Sequence, residues 1–197
     1  LAIRPTSLGY QSKLMLLTLG WADLEAARGV IAALPSSLRL EDNVALYAYT
    51  VALWLRDFDG AAAALERIPR EFLEAHAQFY SKGYLVAEAL QHAGKTRAAE
   101  IHRRNALQQV EARMALEPNS ARLLVWKGKL LARMGDLTEA ARCFQAAEEL
   151  GIAPSRWTHV YPAEKLVLLG APEEAIAACA ELLSRDSSLK RWPQVLN

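Results

Sequence analysis

The sequence predicts an all-α chain, a right-handed solenoid of stacked antiparallel helix hairpins running as one array over residues 1–197. Three observations carry this. Between Ala121 and Pro154, Leu124, Gly128 and Leu131 stand three and four apart, as do Ala140, Phe144 and Ala147, on either side of Met134, Gly135 and Asp136. That is the spacing of two helical stripes joined by a turn. The same turn-and-alanine pattern recurs in units starting near Leu8, Asp42, Tyr80, Ala121 and Arg156, at intervals of 34, 38, 41 and 35 residues. Composition agrees: apolar residues are 52% of the chain, rich in alanine, and charged residues are 23%.

The first unit turns at Ala22, Asp23 and Leu24, then carries Ala27 and Ile31 on one helical stripe. The second turns at Asp57, Phe58 and Asp59 before Ala61 and Leu65. The third turns at Gly94 and Lys95 before Ala98 and Ala99, and its second helix is expected to be stretched, because Arg97 to Glu117 holds no glycine or proline. In the fourth, Gly128 leaves room for a close backbone approach, Gly135 adopts positive φ without steric cost, and Asp136 can cap the next helix. Pro154 cannot continue a helix interior and closes that unit. The fifth turns at Gly170 and Pro172 and runs through Ala175, Cys179 and Leu182.

At the ends, Leu1 to Ser7 is similar to Ala115 to Ser120, the hinge into the fourth unit. Residues 1–7 are therefore expected to be the tail of an upstream repeat in a longer protein. Residues 187–197, with Trp192 and Pro193, are expected to cap the last hairpin.

The chemistry that composition and motifs exclude is extensive. Lysine plus arginine number 23 against 22 aspartate plus glutamate, so no global charge steers this segment to nucleic acid. No apolar run approaches a membrane span of about eighteen residues. Cys143 and Cys179 lack the paired spacing of a disulfide framework or zinc site, and are expected to be buried and inert in a cytoplasmic protein. Gly94, Lys95 and Thr96 resemble the end of a phosphate loop, but Ala89 stands where its first glycine is needed. His76, His92, His102 and His159 fall on no shared helix face with a carboxylate between them. Glu148-Glu149 and Glu173-Glu174 belong to solvated helix faces. No nucleophile, base and orienter can be assembled, so no enzyme, no cofactor and no metal are expected.

These spacings resemble the tetratricopeptide-repeat family over nearly the whole chain, best at Leu124, Gly128, Leu131, Ala140, Phe144 and Ala147. The resemblance implies binding of protein partners without catalysis, with the first helix of each hairpin lining a concave groove. Carried onto this chain, the groove positions include Tyr47, Trp54, Tyr84, Glu88, His92, Arg122, Trp126, Lys129, Arg133, Trp157, Tyr161 and Glu164. Tyr84, Glu88, Arg122, Trp126, Lys129, Arg133, Trp157 and Tyr161 are the expected partner-binding set, aromatic anchors beside positive charge. Packing between hairpins is the alternative for the aromatics, and a solvated face for Arg122, Lys129 and Arg133. The family branch that grips acidic chaperone tails uses lysine and asparagine where this chain has Ser12, Leu46, Tyr84, Val125 and Val160, and Leu16, Thr50, Glu88, Lys129 and Glu164. That ligand is not carried over. Ala87 to Leu90, Ala115 to Ser120 and Glu174 to Ser184 further resemble the C-terminal repeat regions of bacterial multidomain regulators.

Two functional readings follow. In the first, the segment is a non-catalytic scaffold whose groove holds a peptide or helix of a partner protein. In the second, it is the sensory or self-associating part of a larger regulator, and a small ligand or second copy, as in a homodimer, occupies the groove. The second predicts a closed apolar pocket among Tyr84, Trp126 and Trp157.

Overall fold

Local sequence makes most of the elements. The computed structural model describes residues 7–75, 78–151 and 161–185. The expected upstream tail before Ser7, the groove residue Trp157 and the cap over 187–197 lie outside them. Helix α1 (Ser7–Met15) runs into a π-helical turn at Leu16–Gly20, followed by α2 (Leu24–Ala33) and the short α3 (Ser36–Arg39). Then come α4 (Asp42–Trp54), α5 (Phe58–Glu66), strands β1 (Phe72–Ala75) and β2 (Gln78–Ser81), α6 (Lys82–His92) and α7 (Thr96–Leu116). Helices α8 (Ala121–Arg133), α9 (Leu137–Glu149), α10 (Tyr161–Leu168) and α11 (Pro172–Arg185) complete the order.

One turn geometry joins the helices five times. A residue at positive φ ends each first helix: Ala22, Arg56, Gly94, Gly135 and Gly170. In four turns the next amide reaches back five residues to a carbonyl, from Asp57 to Ala52, Lys95 to Leu90, Asp136 to Leu131 and Ala171 to Leu166, at 2.8–3.0 Å. This closes the orphan carbonyls of the helix end. The carboxylates of Asp23, Asp57 and Asp136 accept from the amides of Ala26, Gly60 and Glu139 at 2.9–3.1 Å, capping α2, α5 and α9. Four residues beyond each cap position stands a buried alanine: Ala27, Ala61, Ala99, Ala140 and Ala175. In the first turn Asp23 reaches six residues back, to Leu17. The extra residue is absorbed by the π-helical turn, so Leu14 stays buried, as do Tyr49, Ala87 and Ala163 at the matching place in later hairpins. The hydroxyl of buried Thr18 donates to the Leu14 carbonyl within this stretch, at 2.7 Å.

The helices pack mainly on their neighbours in the chain: α4 with α5, α6 with α7, α8 with α9 and α10 with α11, while α5 meets α6 and α7 meets α8. The stretched helix α7 is 21 residues long. Ion pairs tie successive hairpins, Lys95 to Asp59 at 2.8 Å, Lys127 to Glu111 at 2.9 Å and Lys165 to Glu148 at 2.6 Å. Among the described residues no helix is long and apolar enough to cross a membrane.

The chain is mostly helical, but the all-α expectation misses one element. Strands β1 and β2 form an antiparallel hairpin with Phe72 opposite Ser81 and Ala75 opposite Gln78. The register puts Phe72, Glu74, Phe79 and Ser81 on one face of the ribbon and Leu73, Ala75, Gln78 and Tyr80 on the other. Leu73 and Ala75 are buried in a cluster with Ala45, Leu65 and Val86, whereas Phe72 and Phe79 stack on each other at 4.9 Å. The third unit's first helix accordingly begins at Lys82, after the strand, rather than near Tyr80.

Candidate interaction face

Of the residues expected to line a groove, Tyr47 and Trp54 stand on α4 and the other described ones on three later helices. Tyr84 and Glu88 are one turn apart on α6, while Arg122, Trp126, Lys129 and Arg133 form a stripe along α8. Tyr161 and Glu164 stand on α10. Contacts between these helices bring the set together, and the β-hairpin reaches into it.

Trp126 is buried, and its indole Nε1 donates to the Phe79 carbonyl of β2 at 2.9 Å. Tyr84 meets it edge-on at 5.3 Å and Tyr80 at 6.2 Å. The Lys129 ammonium lies 4.6 Å above the same indole and pairs with Glu164 at 2.7 Å, tying α8 to α10. Arg122 is exposed and sets its guanidinium 4.8 Å over the Phe79 ring. Tyr161 packs edge-on against Phe144 at 6.1 Å.

Glu88 is the electrostatic hub. Its carboxylate, only 14% exposed, accepts from Arg133 at 2.6 Å and from Arg103 of α7 at 3.3 Å. Arg103 is itself buried, and one of its amino groups also donates to Gln91 at 3.3 Å, while its Nε has no partner among the described residues. Burial, with the Glu88 charge adding to it, pushes the Tyr84 and Tyr49 hydroxyls well above the ordinary tyrosine range. Arg133 opposes the shift at Tyr84. Burial likewise raises Tyr161, with Glu148 and Glu164 adding to it.

The described members of the expected partner-binding set, all but Trp157, thus lie on neighbouring elements, with a different division of labour. Tyr84, Trp126 and Tyr161 pack between elements, as the alternative reading had it, and Lys129 and Arg133 are neutralised by Glu164 and Glu88. The Tyr84 and Trp126 rings meet at 5.3 Å, and Trp157, the third member of the expected pocket, lies outside the described residues. Arg122 and part of Arg133 remain at the surface. Sequence reasoning missed Phe79 and Arg103, which hold the face from the strand and from α7. The aromatics Phe72, Phe79 and Tyr80 ahead of the third unit were the available signal for Phe79; nothing in the pattern of α7 marks Arg103 as a buried ion. Cys143 is buried, and burial raises its thiol, whereas Cys179 is only partly covered. Among the described residues no three histidine, cysteine or carboxylate side chains gather as a metal site.

Comparison with protein-family models, with curated proteins and with solved structures finds no match for this chain.

Proposed function

We propose that this chain is a tetratricopeptide-like right-handed solenoid acting as a non-catalytic scaffold for a protein partner. One observation carries the reading. A turn with a positive-φ residue, a back-reaching amide and a buried alanine recurs five times at intervals near the repeat length, the amide reaching back five residues in four of the turns and six in the first. Units of this kind stack in one dimension and present the same helix of every hairpin on one side. A partner peptide or helix would lie along that side. Its contacts would fall on the exposed Trp54, His92 and Arg122 and on the half-exposed Arg133, an aromatic and basic mixture suited to a partner with apolar anchors and a carboxylate.

The test is capture from cell lysate with the wild-type chain and with a Trp54→Ala, Arg122→Glu variant of matched circular dichroism. Both substituted side chains are exposed, so folding is preserved. A protein retained by the wild type and lost by the variant supports the reading; equal retention by both sinks this face as the binding surface.

A further inference from the structure

In a stacked array each hairpin touches the one before it and the one after, so stability is a sum of neighbour contributions. The ion pairs of Lys95 with Asp59, Lys127 with Glu111 and Lys129 with Glu164 each join neighbours in this way. The β-hairpin is placed differently. Helix α4 packs on β1 and α8 on β2. Tyr80 packs against two apolar clusters at once, one holding Ala45, Leu46 and Tyr49 of α4 and the other Leu123, Trp126 and Leu130 of α8.

The contact comes down to one cross-strand pair. The Lys82 amide donates to the Glu71 carbonyl at 3.0 Å, which makes Glu71 and Lys82 a hydrogen-bonded pair. Such pairs alternate along an antiparallel ribbon with pairs whose N–H and C=O point outward. The register therefore turns the main-chain groups of Glu74 and Phe79, which stand opposite each other, toward the two edges. Both edges are gripped. The Glu74 amide donates to the carboxylate of Asp42, at the start of α4, and the Phe79 carbonyl accepts from Trp126 Nε1 of α8, each at 2.9 Å. Arg70 holds Asp42 in place, donating to its other oxygen at 2.5 Å and to the Leu40 carbonyl at 3.0 Å. With strands about 4.8 Å apart and a hydrogen bond on either side, the carboxylate and the indole stand roughly 10 Å from each other. A two-stranded ribbon is marginal by itself, so its placement depends on both grips.

We infer that the β-hairpin is a cross-brace that couples the second helix hairpin to the fourth across the third, so that α4 to α8 open as one block rather than one repeat at a time. The brace does not depend on a partner. A partner laid along the first helices would meet a preformed surface over this block, at a lower ordering cost than on a flexing array.

A double-mutant cycle in urea tests the brace. Asp42→Ala removes one grip, and Trp126→Phe removes the indole N–H while keeping an aromatic ring. Because both release the same ribbon, Trp126→Phe is expected to shift the unfolding equilibrium at least about threefold less in the Asp42→Ala background than alone. Asp42→Asn keeps an acceptor for the Glu74 amide and is expected to leave the cost of Trp126→Phe as it is in the wild type. Lys165→Ala, which breaks the neighbour pair with Glu148, is expected to add simply to Asp42→Ala. Additive losses for Asp42→Ala and Trp126→Phe overturn the brace. So does a coupling just as large between Asp42→Ala and Lys165→Ala, which would belong to the unfolded chain. Hydrogen exchange on the wild type gives a second reading that needs no variant to fold. Amides of α4 and α8 are expected to open together with one urea dependence, and α8 opening while α4 stays protected overturns the inference.

Discussion

Phe144 lies so close beneath Gly128 that a Cβ added to the glycine would stand 2.6 Å from the ring's Cε1. The two residues lie on α8 and α9 and set how nearly the helices of that hairpin approach. Gly128→Ala is expected to destabilise by about 1–3 kcal/mol through overpacking. Phe144→Ala leaves a cavity beneath a 1% exposed ring and is expected to cost about 3–5 kcal/mol. Urea unfolding of both, and of Gly128→Ala with Phe144→Leu, checks the coupling: the double variant should recover part of the Gly128→Ala loss.

Ala22 and Arg56 adopt φ of 53° and 61°, where glycine serves at Gly94, Gly135 and Gly170. A side chain in that region costs about 1–2 kcal/mol, and glycine's extra freedom in the unfolded chain offsets part of it. Ala22→Gly and Arg56→Gly are therefore expected to stabilise by about 0.5–1 kcal/mol, and Gly135→Ala to lose about 1 kcal/mol. Thermal melts of the three read both signs. Equal destabilisation by all would remove strain as the account of these turns.

Glu88 shields a buried guanidinium. Removing it by Glu88→Ala leaves Arg103, 7% exposed at its side chain, without its counter-ion, and is expected to cost about 3–5 kcal/mol. Arg133→Ala removes the more exposed partner, 42% exposed, and should cost about 1 kcal/mol or less. A ratio near one between the two losses would show that Arg103 is not held by Glu88.

Alkaline pH should unfold the chain through its tyrosines. Burial raises Tyr80 from 10.0 to about 12, so the native state favours the neutral phenol. The stability this brings is present in full below pH 10.0 and is lost as pH rises through about 12. Tyr49, Tyr84 and Tyr161 are shifted the same way, chiefly by burial, and extend the window upward. Tyrosinate absorbance should lag behind that of the unfolded chain, and urea midpoints should fall across the same range. A midpoint flat across it would count against burial of these hydroxyls.

The sequence by itself determined the helices, the turns between them and their caps. Each depends on residues within about one helical turn: Asp136 caps α9, Gly135 adopts positive φ, and the uninterrupted run from Thr96 makes the long α7. The resemblance to the repeat family, carried onto the sequence, also grouped Tyr84, Glu88, Trp126, Lys129 and Tyr161. Tertiary structure decided what those residues do. Whether Trp126 meets solvent or the Phe79 carbonyl depends on a strand 47 residues earlier, and whether Glu88 is free depends on Arg103 of the next helix and Arg133 of the one after. The π-helical turn follows the same logic, because nothing local marks it and only the need to bury Leu14 while keeping the Asp23 cap requires it. Periodicity records which face of a helix is apolar or polar. Which neighbour covers that face is fixed only when distant segments compete for it.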